Sequence, residues 1–148
     1  MRLLWDPPAP AVERCGSCGR IIKTYRRTIH AVMARGLIAL YHRSRDRNEY
    51  FHVRDIRVGS EPTGWGDWAK LRYWKLIEEM PKDDSDETRK TSGRWRITEK
   101  GITFVERSSF VQKYCLIRLH EHIGFEGDLI DIVDALGDRF SYEELMRR

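Results

Sequence analysis

Hydrophobic and polar positions along this chain fall into short patterned runs joined by polar, turn-rich stretches. Over residues 20–43, Ile22, Tyr25, Ile29, Val32, Leu37, Leu40 and Tyr41 recur at spacings near three and four, which predicts one helix, with Gly36 as a local weak point. Arg20, Lys23, Arg27 and His30 then fall on a different face, one above the other. YFHVRDIR, residues 50–57, reads as a short strand or a short helix, and VGSEPTGWG after it is turn-rich. Asp67 is a good N-cap for a helix through WAKLRYW. In that helix Trp68 and Leu71, three apart, face the core and leave Lys70 and Arg72 outward, with Tyr73 at an edge. LIEEM (76–80) and RWRI (94–97) read as strands on either side of an apolar-free loop, with Trp95 and Ile97 on one face. Thr98 caps a helix that begins EKGITFV.

The remainder reads as an appended unit. KYCLIRLHEHI alternates as one strand, Gly124 and Gly127 punctuate it, and DLIDI is its hairpin partner. VDALG is a short helix stopped by Gly137, and SYEEL opens on a capping box of Ser141 and Glu144. The expected organisation is α+β: an extended lead over 1–19 with Pro7, Pro8 and Pro10, a domain over 20–107, and a strand-hairpin and helix extension over 108–148.

Composition narrows the class. The chain has 148 residues, 41% hydrophobic and 34% charged, which fits a soluble domain with a real core. No run approaches the roughly 20 apolar residues of a membrane span. The apolar part of MRLLWDPPAP is too short for a signal peptide, so a cytoplasmic protein with no membrane partner is expected. The net charge of +4 is unevenly spread: residues 20–57 carry ten Arg or Lys against Asp46, Glu49 and Asp55, and residues 116–148 carry eight acids against four Arg. Such a front predicts an anionic partner, unless the two halves complement each other inside one fold.

The order from residue 20 to 107 (helix, short element, turn, helix, strand, polar loop, strand, helix) is winged-helix order. AKLRYWKLIEEM and GRWRITEKGITFV resemble the recognition-helix and wing segments of bacterial winged-helix regulators of the MarR and PadR types. Leu76-Ile77 stands at that family's step into the first wing strand, and Ile97-Thr98-Glu99-Lys100-Gly101 at the cap opening the next helix; Lys75 replaces the usual Gly. The joint pattern of CxxCGR, YRR, AKLRYW, WRITEKG and DALGDRFSYEELM is also similar to proteins of phages and bacterial mobile elements. The resemblance implies a winged helix-turn-helix that binds duplex DNA as a transcription regulator. Lys70, Arg72 and Tyr73 on the second helix would meet base edges and phosphates, Arg89, Lys90 and Arg94 would bring the wing to the backbone, and Arg20, Lys23 and Arg27 would add phosphate contacts. Against this, the wing tip carries Asp83, Asp84, Asp86 and Glu87, which repel phosphate. Docking on a host protein therefore stands beside DNA binding, because a fold does not dictate its function.

Cys15-Gly-Ser-Cys18-Gly resembles half of a structural zinc site. His120 and His122 share a face of the expected strand and complete one ligand set; Cys115 has the opposite parity. A homodimer joining two CxxC pairs is a second completion, with His30 as a further candidate ligand. A redox pair and a metal-free turn are the other readings. No P-loop, GxGxxG, HExxH or nucleophile-elbow motif is present, and Asp128, Asp131 and Asp134 read as a solvated acidic helix face. A non-enzymatic protein is expected.

Overall fold

The computed structural model describes residues 12–14, 16–44, 49–52, 55–58, 61–62, 68–81, 93–119 and 121–147. It is a mixed α+β protein with small antiparallel sheets. Among the described residues no helix is long and apolar enough to cross a membrane.

The elements, in chain order, are β1 (Val12–Arg14), β2 (Ile21–Thr28), α1 (Ala31–Ser44), β3 (Phe51–His52), β4 (Arg57–Val58) and β5 (Glu61–Pro62). A 3-10 helix (Ala69–Trp74) follows, then β6 (Ile77–Glu79), β7 (Arg94–Ile97) and α2 (Glu99–Val105). The chain ends with β8 (Val111–Arg118), β9 (Glu121–Ile130), α3 (Ile132–Leu136) and α4 (Tyr142–Met146).

The expected helix over 20–43 is in fact a strand, β2, followed by α1. Ile21, Ile22, Thr24, Tyr25 and Thr28 are β-branched or aromatic and suit a pleated surface. Their exposure alternates with a period of two, which a spacing of three and four disguised. The stripe of Arg20, Lys23 and Arg27 is therefore not a helix stripe, and Tyr25 is not a core residue.

The chain divides into two compact units, one of residues 1–28 with 112–129 and one of 29–111 with 130–148. This division differs from the expected boundaries at 19/20 and 107/108. The tail is not an appendage, because its strands belong to one unit and its helices to the other.

In the helical unit α1 is the centre. α2, α3, α4 and β7 all pack against it. Its buried side, Met33, Ala34, Leu37, Ile38, Leu40 and Tyr41, meets a core that includes Trp68, Trp74, Trp95 and Phe104. Trp68 and Trp95 meet edge to face with ring centroids 5.7 Å apart, a geometry adding about 0.5–1.5 kcal/mol to their burial. Tyr41 donates a hydrogen bond to Glu106 at 2.6 Å, and Tyr142 donates to the Val105 carbonyl at 2.7 Å, so α1 and α4 are both tied to the end of α2. A three-stranded sheet in the order β3-β7-β6 lies in the same unit, with Ile77 opposite Ile97 and Phe51 opposite Trp95.

In the sheet unit the order is β1-β2-β8-β9. β1 pairs with the start of β2, placing Arg14 opposite Ile21, and the rest of β2 pairs with β8, placing Tyr25 opposite Ile117 and Arg27 opposite Cys115. The expected single strand KYCLIRLHEHI is two strands. The chain turns at Leu119, whose φ of 52° is left-handed, and returns as β9.

Candidate nucleic-acid interface

Two stretches carry the expected DNA contacts, one in each unit.

In the helical unit, Trp68, Leu71 and Trp74 recur every three residues, and all are buried. That spacing matches a 3-10 helix, where side chains at i and i+3 eclipse to form one straight ridge. Asp67, the expected N-cap, lies outside the described residues; the cap position is Trp68, which makes no side-chain cap bond. Lys70 is half-buried and Arg72 exposed. Arg72 donates to the Ala69 carbonyl at 3.2 Å and to the Tyr73 hydroxyl at 3.0 Å, and its guanidinium lies 4.6 Å from the Tyr73 ring centroid. Arg72 and Tyr73 are thus held against each other on the 3-10 helix. Arg94 is exposed on β7, and Arg89 and Lys90 lie outside the described residues.

The turn after this ridge is held by the ITEKG cap. Lys75, where the resembled family has Gly, adopts φ 62°, ψ 28°, the left-handed geometry that glycine normally supplies. The Thr98 hydroxyl accepts from the Gly101 N–H at 3.0 Å and donates to the Lys75 carbonyl at 2.6 Å, while the Thr98 N–H donates to the Leu76 carbonyl at 3.1 Å. Gly101 is required by this approach, because a Cβ there would lie 2.1 Å from the Leu76 carbonyl oxygen. One threonine therefore fixes both the start of α2 and the end of the 3-10 helix.

In the sheet unit the site is a strand face. β2 reads IIKTYRRT and contains no acid. Ile21, Lys23, Tyr25 and Arg27 occupy its exposed side, with Arg20 exposed just before it. Residues opposite each other on antiparallel strands share a face, so Arg14 joins this side from β1. Tyr25 is 46% exposed, and the Arg27 guanidinium lies 5.6 Å from its ring centroid. On the opposite side, Arg26 lies 5.6 Å from the Tyr114 ring centroid. Tyr25 and Arg14 were not among the expected contacts. The alternation Lys-Thr-Tyr-Arg-Arg was the signal that could have found Tyr25.

The CxxC pair sits in the connection between β1 and β2. Gly16, Ser17 and Cys18 form the turn, Gly19 takes φ 72°, and Arg14 donates across it to the Gly19 carbonyl at 3.2 Å. Cys18 is exposed, whereas Cys15 lies outside the described residues. The pair therefore precedes a strand, not a helix. His120 also lies outside the described residues, and His122 is on β9, its ring 4.4 Å from that of Phe125. The expected shared face of His120 and His122 therefore lies partly outside the described residues, and β9 begins at Glu121 after the turn at Leu119. Among the described residues no group of three His, Cys, Asp or Glu is placed to hold a metal ion.

The acidic triplet is not one helix face. Asp128 is on β9, whereas Asp131 caps α3 and exchanges hydrogen bonds with Asp134 at 2.8 and 2.9 Å. Arg107 donates to Asp131 at 3.3 Å. Burial acts to raise the Asp131 pKa, but the bonds from Asp134 and the Arg107 charge hold the carboxyl below its ordinary value. No protein-family model, curated protein or solved structure matches this chain.

Proposed function

We propose that this protein binds duplex DNA, with the exposed side of β2 against the phosphate backbone and the Arg72–Tyr73 pair on the 3-10 helix as a second contact. The observation that carries the reading is the alternation of β2, which collects the exposed Lys23, Tyr25 and Arg27 on one side of an acid-free strand. Such a side attracts phosphate without regard to sequence and releases counterions on binding. The element order of the helical unit and the β3-β7-β6 sheet support a winged helix. In the setting the resemblance implies, the protein is a regulator of a phage or mobile element.

Fluorescence anisotropy with a labelled duplex across a salt series tests this. The Lys23→Ala/Arg27→Ala double variant is expected to flatten the slope of log K against log salt by about 1.8, one phosphate per cation. Arg72→Ala costs about 1–3 kcal/mol if that residue reaches a base edge. No binding at about 50 mM salt, or a slope that ignores both cations, sinks the reading.

Docking on a host protein is the second reading. The exposed Leu119, Ile123, Phe125 and Leu129 favour it. Recovery of one stoichiometric partner after nuclease treatment would support docking over DNA binding.

Cys15 and Cys18 are proposed as ligands of a structural zinc that fixes the β1–β2 connection, a turn stage suited to gripping one ion. Elemental analysis decides it. One zinc per chain supports a site closed within the chain, and one per two chains a site shared by a homodimer. No zinc in protein purified without chelator, with unchanged melting of the double Cys→Ser variant, leaves CGSCG a plain turn.

A further inference from the structure

The four-stranded sheet has two unlike edges. β1, at one edge, is three residues long, whereas β9, at the other, is ten. Among the described residues no strand pairs with the outer side of β9. Exposed edges are normally blunted by charge, Pro, bulges or shortness; β9 (EHIGFEGDLI) is ten residues long without Lys or Pro, and its acids Glu121, Glu126 and Asp128 flank the stretch Ile123–Phe125, which carries none. Its Ile123 is 52% exposed and its Phe125 37%. The extended run keeps strict alternation from Glu121 to Glu126 and ends at Gly127, where φ is 89° and the alternation changes phase.

We propose that the outer edge of β9 pairs with β9 of a second copy of this chain, antiparallel, about a two-fold axis at Gly124. In an isologous pair, residue i meets the residue equally far beyond the axis, so only a self-complementary stretch can pair with itself. Centred on Gly124, Ile123 meets the partner's Phe125, and His122 meets the partner's Glu126. Each contact occurs twice. Glu121 meets the partner's Gly127, so none of these pairs sets carboxylate against carboxylate.

Neighbouring registers fit worse. A centre at Ile123 sets Glu121 against Phe125, and a centre at Phe125 sets Ile123 against Gly127 and draws in the break there. The Glu126 side chain is half-buried, and this register sets it beside an imidazole and not beside a second carboxylate. Nothing lies within 4 Å of a Cβ placed on Gly124, so the two facing glycines leave open space at the axis. The result is one continuous eight-stranded sheet. Its two copies of β2 stand five strand spacings apart, about 24 Å before twist.

Light scattering over a concentration series measures the mass, which is expected to approach twice the 17.6 kDa of one chain as concentration rises. Ile123→Lys, which sets an ammonium against the partner's Phe125, is expected to return the mass to one chain while far-UV circular dichroism is unchanged. Gly124→Cys is expected to form a disulfide between its two copies, located by mass spectrometry, since facing Cα atoms on paired strands are about 4.5–5.5 Å apart. Glu121→Cys is the control: its copies stand six residues out of register, about 20 Å apart, and stay uncrosslinked. A mass of one chain at every concentration overturns the proposal. So does a dimer that survives Ile123→Lys, one that crosslinks equally at 121 and 124, or one that needs zinc and is lost in Cys18→Ser. A monomer in which a different protein protects the β9 amides from hydrogen exchange overturns it in favour of host docking.

Discussion

The two units put the same kinds of residue to opposite uses. In the helical unit aromatic rings and guanidinium groups are engaged internally. Trp68, Trp74 and Trp95 are buried, Arg96 is paired with Glu78 and lies over the Tyr50 ring, and Arg107 is paired with Asp131 and lies over the Tyr142 ring. In the sheet unit, Tyr25, Ile123 and Phe125 stand partly in solvent, and Lys23 and Arg27 are exposed on β2. A side chain held by its own fold contributes to stability, while one displayed on an open face has little to lose when it is cut back. The comparison teaches that the buried aromatic packing is concentrated in the helical unit, while displayed basic groups are found on the β2 face and, in the helical unit, at Arg72.

The sharpest way to break that comparison is Trp74→Ala. Emptying a fully buried ring site is expected to cost about 3–5 kcal/mol in urea denaturation; an unchanged midpoint would mean the helical unit does not hold its stability where its aromatics are buried. A smaller pair of effects probes the threonine lock. Thr98→Ala removes an N-cap and is expected to cost about 1 kcal/mol. Lys75→Gly relieves a left-handed side chain and is expected to add about 1 kcal/mol in the same assay. Opposite signs from two residues joined by one hydrogen bond would separate capping from backbone strain.

Asp131 is read through pH. Its folded pKa lies below the ordinary 3.8, so its contribution is complete above that value and is lost as pH falls through the folded one. Asp131→Asn is expected to flatten the fall of stability below pH 3.8, measured by thermal melts across the acid range. The smallest effect on stability belongs to the sheet unit. Lys23→Ala with Arg27→Ala is expected to move the folding free energy by no more than about 0.5 kcal/mol while weakening DNA binding at every salt concentration.

Local signals made much of the helical unit legible in the sequence. RWRI is a strand with Trp95 and Ile97 buried, Thr98 caps the next helix, and Gly137 ends α3 at φ 59°. Each is a short-range rule satisfied within a few residues. β2 was not legible, because Ile22, Tyr25 and Ile29 satisfy a helical spacing as well as their residue types satisfy a strand. What decides between them is the pairing with β8, some ninety residues away, which no local window contains. The same long-range pairing moved the basic candidates: Lys23 and Arg27 stayed basic and exposed, but on a strand face instead of a helix stripe. The turn between β8 and β9 is not legible in the sequence, since Leu119 is a residue type that rarely adopts the left-handed geometry it has here and so gives no turn signal.

The polar connection between β6 and β7 leaves and returns through a closed gate. The Met80 N–H donates to the Arg94 carbonyl at 2.9 Å on one side, and the Thr98 lock fastens the far end of the same strand pair. Chain inserted between residues 81 and 92 would therefore inherit ends already held together, and the entropy of closing such a loop grows only slowly, by about 0.6 kcal/mol for each doubling of its length. Those two fastenings make the connection a natural port for grafting, because an inserted peptide would start and finish at ends already fixed.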